Sequence, residues 1–181
     1  SVNAWVNDYA AAIAIGRMIG DKVIVMGTST GGALATWGVT QPELAADVAG
    51  VVLVSPNYGV NNAAAPILTM PWGEDIARLI VGKDRIATPK NPMHEKYWTT
   101  TYPVSALPPM AATAELARNA PVETAKVPAL FIFSENDRVV RPDITHQVAD
   151  RWGARAEMMV VSTSGDDGNH VIAGDAFSPQ N

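Results

Sequence analysis

The sequence predicts an α/β fold, a parallel sheet with flanking helices, because short apolar runs alternate with helical patterns and polar turns. Three stretches carry the prediction. Lys22–Met26 (KVIVM) is a β-branched run that leads through Gly27 into a helical pattern from Gly31. Ala129–Phe133 (ALFIF) is a second, followed by a polar turn with Asp137 and a helix-forming stretch. Glu157–Val161 (EMMVV) is a third, leading into a Gly/Ser-rich loop with His170. Strands separated by helices pair in parallel, with buried faces.

The remaining elements follow in order. Val2, Val6, Tyr9, Ile13, Gly16 and Gly20 recur at steps of four and three, so Asn3–Gly20 reads as a helix. Asn3 would cap its start and Gly20 its end, with Gly16 allowing close approach to the sheet. A helix over 31–39 is followed by a short one that Pro42 starts and that runs through Asp47. Val51–Val54 is a strand ending at Ser55-Pro56. Residues 57–126 lack the alternation and hold most of the prolines, with Met70, Trp72, Met93, Trp98 and Met110. Helices are expected there over 74–81 and 104–119. Beyond it, 141–152 reads as a helix with Pro142 in its first turn, closed by Gly153.

Residues 27–31, Gly-Thr-Ser-Thr-Gly, sit at a strand-to-helix junction, where a sharp turn lifts a serine hydroxyl above the sheet. Ser29 is the candidate nucleophile, and the backbone N–H of Thr30 the candidate oxyanion donor. Gly27 and Gly31 are expected because a Cβ at either place would crowd the turn. Phosphate binding is the rival use of such a loop. Ala33 stands where a phosphate-binding loop needs lysine, and Ser29 where a dinucleotide loop needs its second glycine. Asp137 and His170 each follow the C-terminal end of a predicted strand, where open α/β sheets place their sites. The chain order Ser29, Asp137, His170 matches one known arrangement of a serine–histidine–acid triad. Asp166 and Asp167 are rivals for the carboxylate partner of His170, though their Gly/Ser-rich loop reads as solvated.

With these motifs the chain resembles the α/β-hydrolase superfamily, in its bacterial carboxylesterase and monoacylglycerol-lipase-like branch. The matching pieces are GTSTGG at 27–32, VVLVSPNYG at 51–59, SENDRVV at 134–140 and GNHVIAGD at 168–175. The resemblance implies a serine hydrolase of carboxylic esters with apolar acyl chains. Ser29 would be the nucleophile, His170 the base and Asp137 its orienting acid; no cofactor or metal is implied. It implies one catalytic domain over 1–181, with a helical cap at about 57–126. The cap's Met70, Trp72, Met93 and Trp98 would contact substrate. Relative to the family, the N-terminal strands and the C-terminal helix are missing, so the sequence reads as an internal piece. The Lys22–Met26 strand would then lie at a sheet edge, expected to recruit another copy or a complementing N-terminal segment.

Composition narrows the alternatives. At 181 residues and 48% hydrophobic content the chain buries one ordinary core. A net charge of −5 with scattered basic residues argues against nucleic acid as partner. The absence of cysteine excludes disulfides, thiolate catalysis and cysteine-held metals. Three separated histidines form no metal-binding spacing. No apolar run reaches the length of a membrane span, and the partner expected is a small ester. Two rival functions remain: cleavage of another acyl bond such as an amide or lactone, and a non-catalytic binding module of the same fold.

Overall fold

The computed structural model describes residues 1–181. Helix α1 (Val2–Ile19) opens the chain, capped by Ser1, whose hydroxyl accepts from the Ala4 N–H, instead of by Asn3. Gly16 lets it approach strand β1 (Val23–Thr28): a Cβ there would come within 3.2 Å of Val23. Helix α2 (Thr30–Gly38) and the short α3 (Pro42–Ala45) lead to strand β2 (Val48–Val54). β2 begins three residues before its apolar run because pairing with β1 extends it.

The middle of the chain is richer than its sequence pattern. Beyond helix α4 (Gly73–Val81), strand β3 (Asp84–Ile86) pairs antiparallel with β4 (Thr101–Pro103) around helix α5 (Pro92–Tyr97). Three-residue strands are too short to show a period, so the pair was invisible. Asn91 caps α5, its side chain accepting from the His94 N–H at 2.8 Å. Helix α6 (Leu107–Arg118) follows a single tight turn over 104–106. Its Pro108 and Pro109 fall in the first turn, where N–H groups have no helical acceptor. α6 lies against α2 and buries Ala111, Ala114 and Ala117, so it packs into the body of the molecule, unlike the cap helix expected over 104–119.

Strand β5 (Ala129–Phe133), helix α7 (Pro142–Asp150) and strand β6 (Ala156–Val160) complete a parallel sheet of order β1-β2-β5-β6. One face is a dry core. Val51, Leu53, Phe131 and Phe133 meet Ala33 and Ala35 of α2, Ile144 and Val148 of α7, and Trp152. The Trp152 ring stands edge-on to Phe131, and its N–H donates to the Val127 carbonyl at 2.8 Å. The register puts Met26, Val52 and Leu130 in one row of the opposite face, and Val54, Ile132 and Met159 in the next. That face is largely open: Met26 is 70% exposed. The expectation of buried strands therefore holds for one face only. β1 forms an edge of the sheet. No helix is long and apolar enough to cross a membrane.

Candidate active site

β1 passes into α2 through a single residue, Ser29, at φ 52° and ψ −118°. Left-handed backbone is costly for a side chain with a Cβ and persists only where the surroundings enforce it. Here the Ser29 N–H donates to the Val54 carbonyl at 2.9 Å, and its carbonyl accepts from Asn57 and Ala33 at 3.0 and 3.1 Å. Gly27 is required: a Cβ there would meet the Gly31 carbonyl oxygen at 2.6 Å. Gly31 is not crowded, contrary to the expectation from sequence. The second tight position is Gly32, against Pro56.

The loops after β5 and β6 bring the partners. Asp137 is buried in the turn after β5, its Oδ1 accepting from the Val139 and Val140 N–H groups at 2.8 and 2.9 Å. Its Oδ2 lies 2.8 Å from His170 Nδ1, and His170 Nε2 lies 3.1 Å from Ser29 Oγ. The bonding pattern sets the tautomer: Nδ1–H donates to the carboxylate, and Nε2 accepts from the serine hydroxyl. Ser29, Asp137 and His170 are thus one hydrogen-bonded chain. The Thr30 N–H, at the start of α2, has no acceptor within the protein.

Asp166 is not the partner of the imidazole ring, nor is it solvated. It is buried, and its Oδ2 accepts from the backbone N–H groups of His170 and Val171 at 3.0 and 3.2 Å. Burial alone would raise its pKa. The N–H groups of His170, Val171 and Gly168, with the Lys90 ammonium, outweigh burial and hold the carboxyl below its usual range. Ser55 at the end of β2 donates from Oγ to the His170 carbonyl at 2.9 Å. Asn57 lies buried beside Thr30, its Nδ2 3.1 Å from Met110 Sδ. The signal for Ser55 and Asn57 was their place directly after a strand C-terminus. Sequence offered none for Lys90, which lies 76 residues from Asp166.

A cleft of about 470 Å³ opens at Ser29 and Thr30, walled mainly by apolar side chains including Ile67, Leu68, Ile76, Ile80 and Met110. Trp72, Trp98, Met70 and Met93 are not among its walls, contrary to the expectation from sequence. Trp72 is 76% exposed, and Met70 is exposed too. Trp98 stands edge-on to Phe177 at 5.2 Å, so it fastens α5 to the segment after His170. An aromatic or Met count carries no direction in a segment without a period, which is why these four were misplaced. No cluster of three or more His, Asp or Glu side chains is arranged to hold a metal ion.

Comparison with known proteins bears on the whole chain. The model of the alpha/beta hydrolase family matches residues 1–176. No curated protein matches the sequence. Among solved structures, an enzyme of the metagenome-derived lipolytic pair LipS and LipT superposes with a TM-score of 0.70 at 19% identity, over 90% of this chain and 64% of that one. The monoacylglycerol lipase of Paleococcus ferrophilus gives 0.60 at 17% identity, over 88% of this chain and 65% of the other. A lipase-esterase related protein from Clostridium acetobutylicum gives 0.62 at 15%, over 95% and 70%. The chain therefore spans less than two thirds of the length of the first two.

Proposed function

The chain belongs to the alpha/beta hydrolase family, and from that premise we propose that it is a serine hydrolase cleaving carboxylic esters with apolar acyl chains. The observation that carries the reading is the imidazole of His170, bonded to Asp137 on one side and Ser29 on the other. His170 Nε2 takes the hydroxyl proton as Ser29 Oγ attacks the ester carbonyl. The carbonyl oxygen gains charge beside the free Thr30 N–H. Collapse of the tetrahedral species breaks the bond to the alcohol oxygen, which leaves with the proton from His170. Water, activated by the same imidazole, then releases the acid and restores Ser29. Asp137 keeps Nδ1 protonated and stabilises the imidazolium as it forms.

The cleft supports the substrate class. Its walls are mainly apolar, and each methylene moved from water into such a wall gains about 0.8 kcal/mol. A chain of carbons attached to the carbonyl fits it better than a charged or sugar-like group. Amides and lactones pass through the same tetrahedral species, so this machinery serves them as well.

Labelling with a fluorophosphonate tests the reading. The protein should label at Ser29, and Ser29→Ala should abolish labelling and ester hydrolysis while the fold is kept, a loss on the order of 10⁶ in turnover. Ser55, Ser134, Ser162 and Ser164 serve as controls, since they also lie near strand ends. Labelling that survives in Ser29→Ala moves the site, and a folded wild type that never labels leaves the binding-module reading standing.

A further inference from the structure

His170 sits in a stretch without regular secondary structure, from Val161 to Val171, which includes Gly165, Gly168 and the left-handed Asn169 (φ 51°). Backbone bonds hold this stretch only up to Asn169, through Arg138 N–H to the Gly168 carbonyl and Asn169 N–H to the Asp166 carbonyl, both at 2.8 Å, yet Nε2 must lie within hydrogen-bond reach of Ser29. Asp137 binds one ring nitrogen and so sets the ring's rotation. It does not hold the main chain to which the ring is attached.

Asp166 does. One carboxylate oxygen, Oδ2, accepts from the N–H of His170 and of Val171, so two successive peptide units are tied to it. The opposite sides of the same residues are held by serines. Ser55 Oγ donates to the His170 carbonyl, and Ser178 Oγ to the Val171 carbonyl at 2.6 Å. Asp166 is only 8% exposed, too buried for a carboxylate that merely solvates a loop. Its second oxygen, Oδ1, meets Lys90 Nζ at 3.3 Å, and Lys90 also reaches Asp167.

Lys90 brings in the cap, since it stands between β3 and α5. The same part of the cap grips the chain just beyond His170. Asn91 Nδ2 donates to the Ala176 carbonyl at 2.7 Å, and His94 and Trp98 both stand edge-on to Phe177. A cap that lifts from this seat gives up the Lys90 contact, and with it one of the groups that hold the Asp166 carboxylate in place.

We propose that Asp166 is a positioning residue for His170, and that Lys90 couples the seating of the cap to that histidine through it. The proposal rests on the reading of His170 as general base. Its reach is large for a residue that touches no reacting atom, because a misplacement of about 1 Å between reacting groups costs roughly 100-fold in rate.

The experiment compares the full chain with Asp166→Ala, Asp166→Asn and Lys90→Met. Three quantities are read: melting temperature, the rate of fluorophosphonate labelling at Ser29, and the proton resonance of the His170 Nδ1–H bound to Asp137. Asp166→Ala should slow labelling by about 10- to 100-fold and broaden or abolish the resonance. Asp166→Asn keeps an oxygen for both N–H groups, so it should restore the resonance and most of the rate. Lys90→Met should slow labelling at least as much as Asp166→Asn, because it loses the ion pairs to both Asp166 and Asp167. A folded Asp166→Ala with the wild-type rate and resonance overturns the proposal, as does an Asp166→Asn that is no better than Asp166→Ala. If Asp166→Ala does not fold, the other two decide: slowing in both supports the coupling, and wild-type rates in both overturn it. A wild type that fails to label defeats the serine-hydrolase reading alone. The resonance still decides the role of Asp166, surviving its removal if that role is wrong and vanishing if it is right.

Discussion

Asp137, in the turn after β5, is 4% exposed and both its oxygens are bonded, whereas α4, in the segment expected to form a cap, leaves Leu79 87% exposed. The two regions border one cleft. On the strand side every polar group of the hydrogen-bonded chain has a partner, and Ser29 and Asp137 sit in turns that follow strands of the sheet. On the cap side the cleft is walled by Ile67, Leu68, Ile76 and Ile80, from short helical pieces that bury few residues of their own. Directional bonds hold the polar groups on one side, and undirected apolar contact shapes the cleft on the other. The difference teaches that substitutions on the two sides should fail differently, one through turnover and the other through selectivity.

The comparison sharpens most at Asp137. Asp137→Asn keeps the volume but leaves Nδ1–H facing an amide that does not stabilise the imidazolium. Turnover should fall by about 10⁴ with little change in KM, by analogy with serine proteases. A drop confined to KM would erase the contrast between the two regions. Cap-side changes should be smaller and depend on substrate. Ile76→Ala and Ile80→Ala should flatten the gain in kcat/KM with acyl length, from the roughly 0.8 kcal/mol expected per methylene. Trp72→Ala should leave that slope unchanged, and equal slopes in all three would remove the cleft from substrate binding.

Acid gives the smallest contrast. The Asp166 carboxyl is held below its usual pKa by its N–H donors and Lys90. A carboxyl whose folded pKa is depressed adds stability that is full well above the unfolded value of about 3.9. That contribution is lost as pH falls through the lower, folded value. Urea melts between pH 6 and pH 3 should therefore show a steeper acid loss in the wild type than in Asp166→Asn. Parallel curves would mean that the loop bonds are not formed in solution.

What the sequence made legible was local. Ala129–Phe133 is a strand on the residues its apolar run marked, and Ser29, Asp137 and His170 lie where turns follow strands. A β-branched run, a glycine with no room for a Cβ and a helix start leave one way to turn the chain. The segment 57–126 was legible only as an interruption of the alternation. Its tryptophans and methionines carry no face when no period surrounds them, and Trp98 proved to pack on Phe177 far along the chain. Asp166 was misread for the complementary reason. A Gly/Ser-rich loop reads as solvated, and nothing nearby announces that two later N–H groups fold back onto a carboxylate.

The edge position of β1 has a consequence for how the strand exchanges with solvent. Val23 and Ser29, at its two ends, both donate to the β2 side, so the amides of Ile24, Met26 and Thr28 point away from the sheet. Deuterium uptake along β1 should then alternate, slow at one residue and fast at the next, within a strand that is uniform in conformation. A further strand docked on that edge, from another copy or from a preceding segment, would slow the fast set and leave the others as they were. The alternation thus reports, residue by residue, whether Ser29 is carried on an edge strand or on an interior one.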